Sequence, residues 1–493
     1  MARAADPSEF EGHLRDWRSR RGPVYRKLTD AIRTAITEGA FAVGTTIPPE
    51  RKLAEALGVS RTTVVGAYQA LRDEGWLESV QGSGTRVTRA GSAVPAFESA
   101  GDAARRRNTA FRGLIDSSGS AISFLGLHMP AISPAFEEAL AETARDARAL
   151  LRHHGYTGLG LPILREAIAS HLTRGGLPTR AAEVLVTHGA QQAIRLAADL
   201  LLRRGDAVVL EDPTYLGAID LFGAAGARLV PVPTGRNGIS LDRLAEAMTR
   251  ERPRALYLMP NYQNPVGSVL SAAARREIAA LAEKHETAVI EDGTLEDLDF
   301  GTPPPPPIGA HSSRARVITI GSLSKLIWGG LRVGWLRAAE PILSPLSQLK
   351  VMNDLGNSPL SQTVAARLMR KLPAIRADRR EQLTERFECL ATELSQRLPD
   401  WTWERPTGGL SIWVRLPRGD SEELAAVALR HGVAILPGSM FSPTNRCRDF
   451  IRLPFCLDPR EIRDGIRRLA RAWNAYVPSR ERESVAALQH VVV

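Results

Sequence analysis

Hydrophobic and polar positions divide the chain into regions of different texture. Residues 23–88 carry short amphipathic helical patterns, and residues 89–118 are rich in Ala, Gly, Ser and Arg without sustained periodicity. Beyond this stretch, short apolar runs alternate with helical patterns, which predicts an α/β body around a largely parallel, buried sheet. The predicted strands lie at 184–187, 207–210, 228–232, 254–259, 288–291, 317–320 and 332–336.

This pattern predicts a multidomain chain. We expect an N-terminal domain at 20–88, a flexible linker at 89–118, a larger body at 119–478 and a mobile tail at 479–493. Helical patterns near 375–397, 420–431 and 459–475 flank a few short strands, which indicates that the body has a large and a small lobe.

The N-terminal region predicts a helix-turn-helix followed by a hairpin. After a first helix at 23–39, a second covers 50–57 and ends at Gly58, and a third covers about 61–74 with Ser60 as its N-cap. Two short strands then flank Gln81-Gly82-Ser83-Gly84. A small helical domain that binds another protein is the alternative reading of such a helix pair.

The strings PPERKLAEALGVSRTTV and, further on, LRDEG followed by GSGT complete this order, and they resemble the winged-helix domain of the GntR regulator family over residues 23–88. The resemblance implies an α+β winged helix-turn-helix that binds double-stranded promoter DNA. It implies DNA contacts for Arg51, Arg61, Thr62, Thr63 and Gly82.

Composition narrows the class of protein without identifying it. The net charge is +10, but the first ninety residues carry 14 basic and 11 acidic side chains, so bulk basicity does not single out DNA binding. Three cysteines are too few for a disulfide framework, and their spacing does not suit a metal site. Without a long apolar stretch or a signal core, we expect a cytoplasmic protein with no membrane partner. The resemblance to GntR regulators implies a bacterial protein that is associated with the nucleoid when bound to DNA.

Chemistry-bearing residues follow four of the predicted strands. These positions are HGAQQ directly after 187, NPVG at 264–267, Glu291-Asp292, and GSLSK directly after 320, with Arg332 seven residues beyond Lys325. Together they supply what a pyridoxal phosphate site needs: a lysine for the aldehyde, a carboxylate for the pyridine nitrogen, an amide donor, and backbone amides and Ser hydroxyls for the phosphate.

This ordered set resembles the fold-type I aminotransferases over residues 119–478. The resemblance implies a Schiff base at Lys325, pairing of Asp292 with the ring nitrogen, an Asn264 contact to the ring hydroxyl, and stacking of Tyr215. It implies phosphate binding by Gly189, Ala190, Gln191, Ser322, Ser324 and Arg332. It further implies that Arg452 takes an effector carboxylate and that Tyr156 reaches the phosphate of a neighbouring subunit.

One position departs from this pattern. The family commonly carries a tyrosine two residues after the ring-nitrogen Asp, and this chain carries Thr294, which is too short to reach the ring hydroxyl in the same geometry. Turnover as a transaminase is therefore in doubt, whereas cofactor binding is not.

The combined halves resemble the MocR subfamily of bacterial regulators. That resemblance implies a homodimer that binds promoter DNA and senses pyridoxal phosphate, an amino compound, or both, through an aldimine at Lys325. There are two alternatives. One is a catalytically active aminotransferase whose DNA-binding domain autoregulates it. The other is a scaffold that has lost both activities. The effector, the operator, and activation versus repression stay open.

Overall fold

The computed structural model describes residues 7–14, 17, 23–37, 40–41, 45–73, 76–80, 84–87, 121–130, 133–152 and 154–478. The predicted linker and tail, the hairpin tip with Gly82, and part of the N-terminal segment lie outside the described residues. The chain forms two compact units, residues 1–99 and 100–493, which are described separately.

The first unit is a winged helix. Its elements are α1 (Pro7–Gly12), α2 (Val24–Thr37), α3 (Glu50–Ala56), α4 (Arg61–Asp73), β1 (Leu77–Val80) and β2 (Gly84–Val87). β1 and β2 pair antiparallel, which confirms the predicted hairpin. Gly58 takes the left-handed conformation (φ 60°) that ends α3, and Thr63 N–H donates to Ser60 Oγ at 3.2 Å, which confirms Ser60 as the cap of α4.

The core of this unit reaches further toward the N-terminus than its sequence pattern indicates. Phe10, Leu14 and Trp17 are buried with the apolar faces of α2 and α4, and the ring of Phe10 stacks on Phe41 at a centroid distance of 4.3 Å. The segment before residue 20 therefore contributes apolar contacts to the winged helix.

The second unit is an α/β body with a mixed central sheet. The order of its strands is β4-β11-β10-β9-β8-β5-β6-β7. Here β4 is Val184–Thr187, β5 Ala207–Asp212, β6 Arg228–Gly235, β7 Gly238–Ile239, β8 Ala255–Leu258, β9 Ala288–Asp292, β10 Val317–Ser322 and β11 Gly334–Arg337. Within it, β11 runs antiparallel to both neighbours, β7 runs antiparallel to β6, and the remaining pairs are parallel. A strand lies at each of the seven predicted places, and β5, β6, β9 and β10 extend one to three residues further at their carboxyl ends. By contrast, β8 is one residue shorter at each end than the predicted 254–259, and β11 begins at Gly334 where 332 was predicted.

Helices cover this sheet. They are α5 (Pro134–Leu150), α6 (Pro162–Arg174), α7 (Ala190–Leu201), α8 (Leu216–Ala224), α9 (Leu241–Glu251), α10 (Ala272–Lys284), α11 (Glu340–Asp354) and α12 (Pro359–Arg370). The strands they enclose are buried on both faces, as in β4 and β8, where every residue is buried.

A smaller lobe follows, as predicted. Its four-stranded sheet has the order β12-β13-β16-β15, and β3 pairs in parallel with β14. These strands are β3 (Ile122–Ser123), β12 (Thr402–Trp403), β13 (Ser411–Arg415), β14 (Val433–Ala434), β15 (Leu436–Pro437) and β16 (Phe450–Pro454), with helices α13 (Leu372–Arg397), α14 (Ser421–Arg430) and α15 (Pro459–Ala475). No helix in the described part of the chain combines the length and apolar character needed to span a bilayer.

Candidate functional site

The carboxyl ends of the central strands meet at one edge of the sheet, and a cavity of about 260 Å³ lies there. Because β11 reverses direction between β4 and β10, the ends of β4, β5, β8, β9 and β10 all point to this edge. The cavity is lined by Gly189, Ala190, Gln191, Tyr215, Asn264, Asp292, Ser322, Ser324, Lys325, Arg332 and Arg452. These are all the residues for which the sequence predicts a place in the cofactor and carboxylate site of the same chain.

Lys325 lies in the loop after β10, and its Nζ donates a hydrogen bond to the carbonyl oxygen of Leu127 at 2.7 Å. Burial lowers the pKa of Lys325, and the positive charges of Arg452 and Arg332 lower it further. A lowered pKa raises the fraction of neutral amine, the form that adds to an aldehyde.

Asp292 ends β9, and both of its carboxylate oxygens accept hydrogen bonds. Tyr257 on the neighbouring strand donates its hydroxyl to Oδ2 at 2.9 Å, and Thr294 donates its N–H at 3.0 Å and its hydroxyl at 2.5 Å to Oδ1. Asp292 is buried, so these donors hold a carboxylate at the floor of the cavity. The Thr294 hydroxyl is thus directed at Asp292.

Sequence reasoning missed two buried residues that support this site. Tyr257 places a phenol in an otherwise apolar, buried strand, where its hydroxyl needs a hydrogen-bond partner. That position was the sequence signal that could have identified it. Glu211 is buried at the end of β5, where its Oε2 accepts the N–H of Met259 at 2.8 Å, and burial raises its pKa to about 8. It holds the start of the loop that leads to Asn264.

The N-terminus of α7, which we call the Gly189 cradle, lines the cavity with Gly189, Ala190 and Gln191. Gly189 takes a left-handed conformation (φ 95°), and a side chain on Gly334 would lie 2.7 Å from the Cα of Gly189, so both positions require glycine. Helix N-termini present free N–H groups and a partial positive charge. Arg332 donates to the carbonyl of His188, and Ser322 Oγ donates to Ser324 Oγ at 3.0 Å, which gathers a cation and hydroxyls at the same place.

Arg452 lies on β16 and is 3% exposed. It donates to the carbonyl of Leu125 and, from Nη1, to Asn264 Oδ1 at 3.3 Å, and its guanidinium lies 5.1 Å from the centroid of the Phe441 ring. Burial lowers its pKa to about 10. Its Nε is buried without a hydrogen-bond partner among the described residues. A buried cation with an unused donor is suited to an incoming carboxylate.

Tyr156 does not line the cavity of its own chain, and 65% of its surface is exposed. Its predicted contact to a neighbouring subunit stays a prediction. The loop after β9 also lines a second cavity of about 430 Å³, where His171 lies 3.3 Å from Asp297 and 3.5 Å from Glu296, and Arg376 lies 3.2 Å from Asp297. These charges pair with one another beside the loop that follows Asp292.

The predicted DNA-contacting residues of the first unit lie on α3 and α4. Arg51 is exposed in the first turn of α3, and Arg61 and Thr62 are exposed at the start of α4. The hydroxyl of Ser60 lies 2.8 Å from the hydroxyls of both Thr62 and Thr63. Polar side chains at the N-terminus of the second helix are what a helix-turn-helix presents to DNA.

Comparisons with known proteins match both units. Residues 24–87 match the family described as "Bacterial regulatory proteins, gntR family", and residues 129–469 match "Aminotransferase class I and II". The chain is 30% identical to the protein described as "Probable rhizopine catabolism regulatory protein MocR" of Rhizobium meliloti, over 92% of this chain and 94% of that protein.

Two further matches concern the larger unit. The 2-aminoadipate transaminase of Thermus thermophilus is 35% identical over 70% of this chain and 88% of that protein. The crystal structure of LysN, an α-aminoadipate aminotransferase from the same species complexed with N-(5'-phosphopyridoxyl)-L-leucine, superposes with a TM-score of 0.68. That match has 32% identity and covers 76% of this chain and 97% of that one.

Proposed function

We propose that this chain, which belongs to the MocR subfamily of GntR-type transcriptional regulators, couples promoter binding to occupancy of a pyridoxal phosphate site by an amino compound. The observation that carries the proposal is the single cavity that combines Lys325, Asp292, Arg452 and the Gly189 cradle. We place its action in the bacterial cytoplasm, at the nucleoid when it is bound to DNA.

The residues of the cavity fit pyridoxal phosphate, which supplies an aldehyde and an electron-withdrawing pyridine ring when bound. The lowered pKa of Lys325 favours its neutral amine, Asp292 offers a fixed carboxylate to a protonated ring nitrogen, and the start of α7 with Arg332 offers donors to a phosphate. Arg452 then selects amino compounds that carry a carboxylate.

A strap made of residues 122–130 supports the coupling. Its carbonyl oxygens at Leu125 and Leu127 accept hydrogen bonds from Arg452 and Lys325, the two cations of the cavity. Arg379 on α13 donates both to the carbonyl of Pro130 at 3.4 Å and to that of Leu326, beside Lys325, at 2.9 Å. The strap is thus bound to the same groups that an effector engages.

An effector carboxylate competes with the Leu125 carbonyl for the Arg452 guanidinium. The strap begins four residues after the end of the predicted linker 89–118, so its release or retention is a local change with a covalent path to the DNA-binding unit. An effector that binds the two arrangements of the strap with different affinity shifts their populations, and DNA binding shifts with them.

Homodimerisation is part of this proposal, and an exposed apolar surface supports it. Tyr156 and Leu159 lie on a segment that packs against the residues that follow α11, where the Thr157 hydroxyl donates to the carbonyl of Asn357 at 3.4 Å. Met352 on that helix is 84% exposed. Further exposed apolar side chains of this region are Leu140, Leu151, Ile163, Val351, Leu355 and Leu360. Exposed apolar surface is typical of protein–protein interfaces, and a dimer presents two DNA-binding units to paired half-sites.

A working aminotransferase is the second candidate, favoured by the presence of Lys325, Asp292 and Arg452 in one cavity. It predicts multiple turnovers with an amino donor and a 2-oxo acid, whereas a sensor predicts binding without turnover.

The deciding experiment measures binding of the full chain to its own upstream intergenic DNA by fluorescence anisotropy, with and without pyridoxal phosphate and amino compounds. We expect salt-sensitive binding whose affinity changes with the ligand in the wild type and in Lys284→Ala, an exposed-lysine control, but not in Lys325→Ala. A full ligand response in Lys325→Ala overturns the sensing proposal. If no salt-sensitive DNA binding is found, the proposal that the chain is a DNA-binding regulator is wrong.

A further inference from the structure

Helix α4 carries a stripe of three side chains on its outward face. Val64, Ala67, Tyr68 and Leu71 are fully buried in the core of the first unit, so the opposite face is exposed at Arg61, Val65 and Gln69. These three positions are spaced by four residues and lie above one another on the helix. Val65 is 37% exposed, an apolar side chain between two polar ones.

The first turn of α4 is held in place. The Ser60 hydroxyl caps the helix through the Thr63 N–H and lies within hydrogen-bond distance of the Thr62 and Thr63 hydroxyls. On the opposite face the Tyr68 hydroxyl donates to the carbonyl of Pro48 at 2.8 Å, which anchors the helix to the chain before α3. The spacing between Arg61 and Val65 is therefore rigid.

The N-terminal residues of a recognition helix approach base edges in the major groove. Of the stripe, Arg61 and Val65 are nearest that end. An arginine pairs with guanine O6 and N7, whereas valine offers neither donor nor acceptor. The thymine C5-methyl is the apolar group that base pairs present in this groove.

We propose that Val65 contacts the C5-methyl of a thymine in each half-site and is thereby a specificity-determining residue for the operator; the inference rests on the proposed DNA binding. Four residues of helix span about 6 Å, roughly two base-pair steps of about 3.4 Å each. The thymine therefore lies about two steps from the base that Arg61 contacts. With any other base, Val65 would face an edge without a methyl group, or it would cover polar atoms of the base and leave them without a hydrogen-bond partner.

The test removes the methyl groups one at a time. An operator is selected from random 30-base-pair duplexes with the full chain, and each thymine is then replaced by deoxyuridine, which keeps Watson–Crick pairing and lacks only the methyl. We expect one replacement in each half-site to weaken wild-type binding about fourfold, since burial of a methyl-sized group contributes about 0.8 kcal/mol.

Variants of Val65 test whether this residue is the one that contacts the thymine methyl. Val65→Ala is expected to bind the thymine and deoxyuridine operators alike at that position, while Val65→Thr, which keeps one methyl in the same place, retains part of the difference. Val24→Ala changes an exposed apolar residue on α2 and is expected to retain all of it. Equal thermal unfolding midpoints verify that the variants fold.

The outcomes separate this inference from the proposed function. If no deoxyuridine weakens binding, or if Val65→Ala stays as sensitive as the wild type, the inference is wrong while DNA binding stands. If no duplex is retained at low salt, the proposed function itself is wrong.

Discussion

The hydroxyl of Tyr257 donates a hydrogen bond to Oδ2 of Asp292 across 2.9 Å, between neighbouring parallel strands. Asp292 is the carboxylate proposed to pair with the pyridine nitrogen, and Tyr257 fixes its orientation from beneath the cavity. The phenol is buried and packs edge-on against Phe222 at a centroid distance of 5.6 Å. A substitution that removes only the hydroxyl therefore tests orientation without opening a cavity.

Tyr257→Phe is expected to weaken pyridoxal phosphate binding at least tenfold. A hydrogen bond to a charged group is worth about 1.5–3 kcal/mol, and about 1.4 kcal/mol corresponds to a factor of ten. Titration of the cofactor-free protein, followed by visible absorbance, measures the affinity. Tyr262→Phe is the matched control, because Tyr262 is also buried and its hydroxyl contacts Thr302 outside the cavity. Equal affinities of the two variants would contradict the role of Tyr257.

Arg452→Lys is expected to weaken binding of carboxylate-bearing effectors at least tenfold while pyridoxal phosphate stays bound. Lysine keeps the charge but cannot form the two parallel hydrogen bonds of a guanidinium. A panel of α- and ω-amino acids is screened first for the one that binds most tightly. The affinity of that amino acid is then compared with the affinity of the amine that lacks its carboxylate. The variant should lose the preference for the carboxylate; an unchanged preference excludes Arg452 as the carboxylate site.

Met352→Arg is expected to convert a dimer into monomers and to weaken DNA binding about 100-fold, because the second DNA-binding unit no longer acts at high effective concentration. Light scattering after size-exclusion chromatography measures the mass. Leu429→Arg places the same charge at an exposed apolar position on α14 and is expected to stay dimeric. If the Met352→Arg protein is still a dimer, the dimer interface does not include Met352.

His171 makes the stability of the larger unit depend on pH. Burial by itself lowers its pKa, but hydrogen bonds to Asp297 and Glu296 outweigh burial and raise the pKa to about 10. The ordinary histidine pKa near 6.5 describes the unfolded chain. The stabilisation is therefore fully present below about pH 6.5 and is lost as the pH rises through about 10.

The corresponding variant is His171→Gln. Its deficit in unfolding free energy relative to the wild type should be largest at pH 6 and should shrink by at most about 1.4 kcal/mol per pH unit up to pH 10. Urea unfolding followed by tryptophan fluorescence measures it, with His431→Gln as an exposed control. A deficit independent of pH would show that the pairs with Asp297 and Glu296 contribute no charge-dependent stability.

Periodicity and local motifs predicted most of the secondary structure. The predicted strand at 184–187 coincides with β4, and the hairpin strand predicted before Gln81 coincides with β1. A run of apolar residues and a glycine turn are both properties of neighbouring positions, so the sequence reveals them. The predicted cofactor residues of one chain line one cavity for a related reason. Each lies at the end of a strand or in the segment that follows it, and the ends of strands that run in the same direction meet at one edge of the sheet.

The sequence by itself thus determined the two-part architecture, the strands and the chemical groups of the site. Only the tertiary structure decided which partner each group has. Tyr257 and Asp292 are 35 residues apart in the chain, and Lys325 and Leu127 are 198 apart. The Leu125 and Leu127 contacts are made by backbone carbonyls, which every residue type carries, so no sequence pattern marks them. Such pairs exist because packing of the whole body brings distant segments together, and that packing is a property of the fold.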